Sequence, residues 1–123
     1  MDKKPFFYKS LGYSLKGMLW MLKNERNFQI ELLALALNIF LCFVFSVSVM
    51  EMMIILLCCF LVLSAEIINT AIEKLCNFVH PNYHVEIGVI KDLAAAAVVV
   101  LAILSLVVGV IIYWPYVRVW ILN

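Results

Sequence analysis

Three stretches of this chain, 30–50, 52–72 and 93–113, run for about 21 residues each with at most one charged side chain apiece. A bilayer core takes roughly 20 residues of helix to cross. No water is available there to satisfy backbone N–H and C=O groups, so each stretch must be helical. The alternative is a water-soluble fold, and the composition excludes it. The chain has 123 residues, 67% hydrophobic and only 14% charged, with a mean hydropathy of +1.09. A soluble domain of that size could not cover so much apolar surface with so few charges. The length suits one domain, 1–123. The net charge of +1 provides no basic field for nucleic acid.

The predicted order is a surface helix over 1–29, two spans joined by a very short turn with Glu51 at its centre, a polar loop over 73–92, and a third span. Lys and Arg set the orientation. Lys3, Lys4, Lys9, Lys16, Lys23 and Arg26 crowd the N-terminal segment, and the Glu51 turn has none. Lys74 and Lys91 lie in the 73–92 loop, and Arg118 alone in the tail. This places the N-terminus and the 73–92 loop inside, and the Glu51 turn outside. Tyr113, Trp114, Tyr116 and Trp120 then form an outer aromatic belt. The first 29 residues lack the features of a cleaved signal. Lys9, Lys16 and Lys23 share one helical face, opposite Phe7, Leu11, Leu15, Leu19 and Leu22, which suits a helix lying in the membrane interface.

Polar groups inside the second span carry the functional argument. Glu66, Asn69 and Glu73 sit in an otherwise apolar run. At 100° per residue, steps of three and seven place all three on one face, with Thr70 and Asn77 on or beside it. An ionisable side chain in a bilayer costs roughly 2.5 kcal/mol or more, so a stripe of them marks function. Glu66 lies about 10 Å deeper than Glu73 along the axis. A desolvated Glu66 suits general-base or proton-relay work. Glu73, nearer the surface, suits a hard cation such as magnesium. The plainer alternative is interhelical glue, although glue needs no carboxylates.

Other groups are open to two readings. Lys91 and Asp92 open the third span, where a Lys beside helix amides forms an anion site, with Asp92 either the helix N-cap or a group that orients Lys91; a snorkelling Lys beside a capping Asp is the bland equivalent. Glu25 could join Glu73 around a cation or be a boundary charge, and Glu31 lies one turn deeper. His80 and His84 frame Pro81-Asn82-Tyr83, which reads as a polar loop more than a metal site, with nucleotide contact open. Cys42, Cys58, Cys59 and Cys76 have no metal-like spacing and read as packing. No Gly-rich phosphate loop is present. Any nucleotide must therefore be held by metal, Lys and helix ends.

The run Ser64-Ala65-Glu66-Ile67-Ile68-Asn69-Thr70-Ala71-Ile72-Glu73, followed by Lys91-Asp92-Leu93-Ala94-Ala95-Ala96-Ala97-Val98, resembles the prokaryotic diacylglycerol kinase family. Gly12-Tyr13-Ser14-Leu15-Lys16-Gly17 and Asn24-Glu25 with Phe28 resemble it too, so the likeness covers nearly the whole chain. It implies an all-α membrane protein of three spans and a surface helix, assembled as a homotrimer with shared active sites in the bacterial cytoplasmic membrane. It implies transfer of the γ-phosphate of magnesium-ATP to a lipid hydroxyl. Glu66 would be the general base, with Asn69 positioning groups around it. Glu25 and Glu73 would hold the metal. Tyr13, Asn82, Tyr83, His84, Lys91 and Asp92 would join those two around the nucleotide. Lys9, Glu31 and Ala95 would lie with Glu66 along the lipid.

Two departures bear on the acceptor. The alanines at 94–97 resemble relatives that phosphorylate undecaprenol, whereas Glu31 resembles those that phosphorylate diacylglycerol. Diacylglycerol is the expected acceptor and undecaprenol the alternative. Asn77 stands where many members carry Asp. A small proton-coupled transporter is the rival class, since one membrane Glu suffices for it. It has no need of Lys91-Asp92 with Glu73 and Glu25.

Overall fold

The computed structural model describes residues 6–123, so Lys3 and Lys4 lie outside the described residues. Four α-helices follow one another: α1 (Phe7–Asn24), α2 (Arg26–Val44), α3 (Val49–Val79) and α4 (Val85–Leu122). Among the described residues there is no strand. α2, α3 and α4 are each long and apolar enough to cross a membrane. Phe40, Phe43 and Leu106 are more than half exposed on them, which suits lipid and not water. The chain is an all-α, multi-pass membrane protein.

α3 is the central element, packed along α4 on one side and α2 on the other, with α1 folded against α2. Two apolar clusters pin it. Met21, Phe28 and Leu63 join α1, α2 and α3, and Cys42, Ile55 and Ile112 join α2, α3 and α4. The surface helix and the first span meet at a corner. Glu25 is extended there, with φ −111° and ψ 112°. Its N–H still bonds Met21 O at 2.9 Å, and the Gln29 amide reaches back to Leu22 O at 2.8 Å. The corner therefore leaves few backbone groups unpaired.

The turn between α2 and α3 comprises residues 45–48, and Glu51 is not at its centre. Glu51 is instead in the first turn of α3. Ser48 and Glu51 form a reciprocal capping box: the Glu51 N–H donates to Ser48 Oγ at 3.1 Å, and the Ser48 N–H to Glu51 Oε1 at 3.0 Å. The end of α2 closes with two backbone bonds, Val47 N–H to Cys42 O and Ser46 N–H to Phe43 O. This is the Schellman pattern, which places residue 46 in the left-handed region. Ser46 has φ 51°. The aromatic residues expected as an outer belt also clamp this turn. The Phe45 ring centroid lies 6.0 Å from Tyr113, 5.9 Å from Tyr116 and 5.1 Å from Trp120. Tyr113 donates to Asn38 Oδ1 at 2.8 Å and Tyr116 to Glu51 Oε1 at 2.5 Å.

The 73–92 segment, expected as a loop, is helical except at 80–84. α3 runs about 46 Å and α4 about 57 Å, both longer than a bilayer core. The two helices therefore reach beyond α2 as a hairpin. Pro81 stops α3 from continuing. His84 is the N-cap of α4, its Nδ1 accepting from the Glu86 N–H at 3.1 Å. Asp92, one candidate for that cap because the apolar run begins there, is not the cap: the helix starts two turns earlier.

Two stability outcomes follow. Replacing Ser46→Gly relieves a left-handed residue with a side chain, and should stabilise the protein by about 0.5–1 kcal/mol, read as a raised midpoint in thermal or denaturant unfolding. Replacing His84→Ala should cost about 1 kcal/mol at the α4 start. Hydrogen exchange should then quicken at residues 85–88 and not at the α3 start.

Candidate active site

The polar stripe forms as its spacing requires. Glu66 is 6% exposed and Thr70 4%, both buried in α3 against its neighbours. Asn69 and Glu73 are half-buried on the next turns. The Asn69 amide donates to Glu73 Oε1 at 3.2 Å. Asn69 Oδ1 is buried and has no partner, a costly state that a ligand or ion at this spot would relieve. Glu31, Glu73 and Glu25 all stand within electrostatic reach of Glu66. The fold thus brings four carboxylates from α2, α3 and the α1–α2 corner into one neighbourhood. Glu25 is half-buried at that corner. The ammonium of Lys74, 4.4 Å from the Trp20 ring centroid, ties the surface helix to α3 nearby.

Lys91 joins the stripe from α4. Its Nζ donates to Asn77 Oδ1 at 2.6 Å. Asn77 lies one turn beyond Glu73 on the same face, about 6 Å along the axis. One row of side chains therefore runs from Glu66 through Asn69 and Glu73 to a lysine ammonium. Lys91 does not reach this place as an opening residue of α4. It lies two turns inside the helix, so the helix-terminus anion site expected for Lys91 and Asp92 does not form. The first turn of α4 is instead at residues 85–88, where His84 caps the Glu86 N–H and its carbonyl accepts from the Gly88 N–H.

Lys91, Asp92, Asn82, Tyr83 and His80 line a cavity of about 280 Å³ at the α3–α4 connection. The loop is held in shape locally. His80 Nδ1 pairs with Asn82 O at 2.7 Å, and the His80 and His84 ring centroids are 5.4 Å apart. The Tyr83 ring lies over Gly88, 3.5 Å from where a Cβ would stand. Tyr13 and Lys9 are elsewhere. They line a shallow cavity of about 300 Å³ on α1 with Gly12 and Lys16. Within one chain the residues expected at the nucleotide therefore fall in two separate places.

Two apolar grooves run along the spans. The walls of the larger, about 550 Å³, include Glu31, Asn38, Val62, Ser105 and Tyr113. Ala94 and Ala97 line the smaller, about 300 Å³, with Ser64, Ala65 and Asn69. Ala95 is exposed on α4 beside it. Among the described residues no three His, Cys, Asp or Glu groups converge as a metal cage. Magnesium seldom needs one, because it is commonly bound by one or two carboxylates plus substrate phosphates. Sequence reasoning noted Asn77 near the stripe but gave it no partner. Its spacing of four from Glu73 and its place where many family members carry Asp were the available signals.

The sequence profile described as prokaryotic diacylglycerol kinase matches residues 12–113. The chain is 34% identical over 109 residues to the undecaprenol kinase of Bacillus subtilis (strain 168), which covers 89% of each chain. It is 30% identical over 108 residues to the diacylglycerol kinase of Escherichia coli (strain K12), covering 88% of each, and equally so to that of Shigella flexneri. The matched span contains the whole α3 stripe, its Lys91 partner and the loop between them, and on that footing the chain belongs to the prokaryotic diacylglycerol kinase family and is an ATP-dependent lipid kinase of that type.

Proposed function

We propose that this protein transfers the γ-phosphate of magnesium-ATP to the hydroxyl of a long-chain membrane lipid, with undecaprenol as the acceptor. The observation that carries the reaction is the single row on α3, where a buried carboxylate, an amide–carboxylate pair and a bonded lysine follow one another. Phosphoryl transfer asks for positioning and charge neutralisation more than for covalent help. Glu66 takes the proton from the lipid hydroxyl, in the membrane where that hydroxyl arrives. Asn69 orients Glu73 and the groups beside it. Lys91 meets the phosphates, with Asp92, Asn82, Tyr83 and His84 around the nucleotide.

The donor set fits magnesium. Glu73 and Glu25 are hard oxygen ligands, and the unpartnered Asn69 Oδ1 lies alongside. Glu73 and Glu25 would hold the ion, which neutralises phosphate charge when bound. Tyr13 and Lys9 lie apart from the Lys91 cavity in one chain. That separation supports a homotrimer in which a neighbouring subunit completes each site. The Lys and Arg distribution supports an orientation with the α3–α4 connection and N-terminus in the cytoplasm, where ATP is, across the bacterial inner membrane.

The acceptor reading rests on the grooves. Three polar side chains of the larger groove are already bonded at home: the Asn38 amide donates to Ala34 O, Ser105 to Leu101 O, and Tyr113 to Asn38. Diacylglycerol brings two ester groups that need donors, whereas a polyprenol brings hydrocarbon and one hydroxyl. The relative at 34% identity is named as an undecaprenol kinase. Diacylglycerol is the second reading, favoured by Glu31 in the wall of the larger groove.

Labelled ATP with purified protein in mixed micelles tests this, with each lipid offered separately. Magnesium-dependent labelling of undecaprenol over diacylglycerol is expected. The reverse preference would select the second reading, and no labelling of either by folded protein would return the weight to proton-coupled transport. Glu66→Gln should lower turnover by roughly 10²–10⁴ while leaving nucleotide affinity largely intact. Glu73→Gln should weaken magnesium-dependent nucleotide binding as well. Equal losses of nucleotide affinity in both would refute this division of labour.

A further inference from the structure

The Lys91–Asn77 bond joins two helices across the connection at 80–84, at 2.6 Å between Nζ and Oδ1. An ammonium has three donors and no acceptor. One donor is committed to Asn77, and that bond fixes the direction in which the others point. The chemistry of the acceptor then decides how much charge the ammonium presents. A carboxylate in this position would pair with Lys91 and offset its charge locally. An amide oxygen aims the same ammonium and leaves its full positive charge outward. Lysine binds phosphate as a point charge and not through a fixed fork, so that charge is the useful quantity.

The surroundings make the distinction sharper. Glu73 lies one turn away on α3 and Asp92 is adjacent on α4. Glu73 is thus one turn from the Asn77 acceptor, Asp92 lines the same cavity as Lys91, and a further carboxylate at 77 would tip the mouth of the site towards negative. Asn77 itself is exposed and belongs to neither apolar cluster. Its interhelical bond to Lys91 is the contact that gives it a task.

We propose that Asn77 is a positioning residue for phosphoryl transfer: its amide oxygen aims the Lys91 ammonium at an anionic phosphate without neutralising it, and so sets affinity for the nucleotide. This rests on the proposed phosphate role of Lys91. Asn77 acts through Lys91 and touches no reacting atom.

Two substitutions separate aim from charge. Asn77→Asp keeps an acceptor of the same size and adds charge. Asn77→Ala removes the acceptor. Full-length protein in detergent micelles would be measured for kcat, KM for ATP, direct binding of a fluorescent ATP analogue, and melting temperature. Asn77→Asp should raise KM and Kd roughly two- to fivefold at low salt, the scale of an exposed ion pair, with the gap narrowing as salt is added. It should keep more of kcat than Asn77→Ala, in which the ammonium loses its aim. A residue that merely supported the fold would show no such opposite split and no salt dependence of it. Wild-type values in both variants, tighter nucleotide binding in Asn77→Asp, or losses in both that track lost folded protein would overturn the proposal. Lys91→Ala keeps the two levels apart. If it leaves nucleotide affinity unchanged, the phosphate role of Lys91 falls and this inference with it. If it weakens binding while Asn77→Asp does not, this inference alone falls.

Discussion

Inside a bilayer every polar group must find its partner within the protein, and this structure is arranged around that requirement. Hydrophobic burial cannot hold these helices together, because lipid is as apolar as leucine. What remains is packing and polar closure. Tyr113 on Asn38, Tyr116 on Glu51, and the reciprocal bonds of Ser48 and Glu51 lock the α2–α3 turn to α4. At the other end, Lys91 on Asn77 and Trp20 under Lys74 tie α4 and α1 to α3. Against that background, an oxygen left without a partner is conspicuous. Asn69 Oδ1 is such an atom, and it lies in the row between Glu66 and Glu73.

α3 carries its packing residues and its carboxylates on one face, divided along its length. Ile55, Cys58, Val62 and Leu63 are buried against its neighbours, while the Glu66–Glu73 row runs toward the α3–α4 connection. Its length matters as much as its pattern. A helix that ended at the edge of the apolar core would leave Asn77 and Lys91 in a mobile loop. Because α3 continues to Val79 and α4 begins at Val85, those residues are carried on rigid helix. The polar row thus runs along one continuous scaffold, which suits the proposed reaction, whose substrates come from two phases.

Much of this was legible from residue spacing. Three apolar runs required three spans, and the 3.6-residue repeat aligned Glu66, Asn69 and Glu73. The boundaries were less legible, for an identifiable reason. Hydropathy reports where lipid ends, not where helix ends. Polar residues at 73–79 and 85–92 therefore read as loop although they are helical. The Ser48-Val49-Met50-Glu51 spacing did carry a capping-box signal, which would have moved Glu51 out of the turn. His84 as a cap carried a weaker one, since His is not a favoured N-cap residue.

The sequence by itself determined the class, the number of spans and the face on which the carboxylates lie, because local periodicity depends only on helix geometry. Its motifs also determined the family. Tertiary structure alone decided the partners. That Lys91 ends on Asn77, that Glu31 and Glu25 come within reach of Glu66, and that Tyr13 lies apart from the Asn82–Lys91 cavity depend on how helices cross and where the connections turn. Spacing along one helix fixes angles about its own axis. It says nothing of which face of a neighbour comes to meet it.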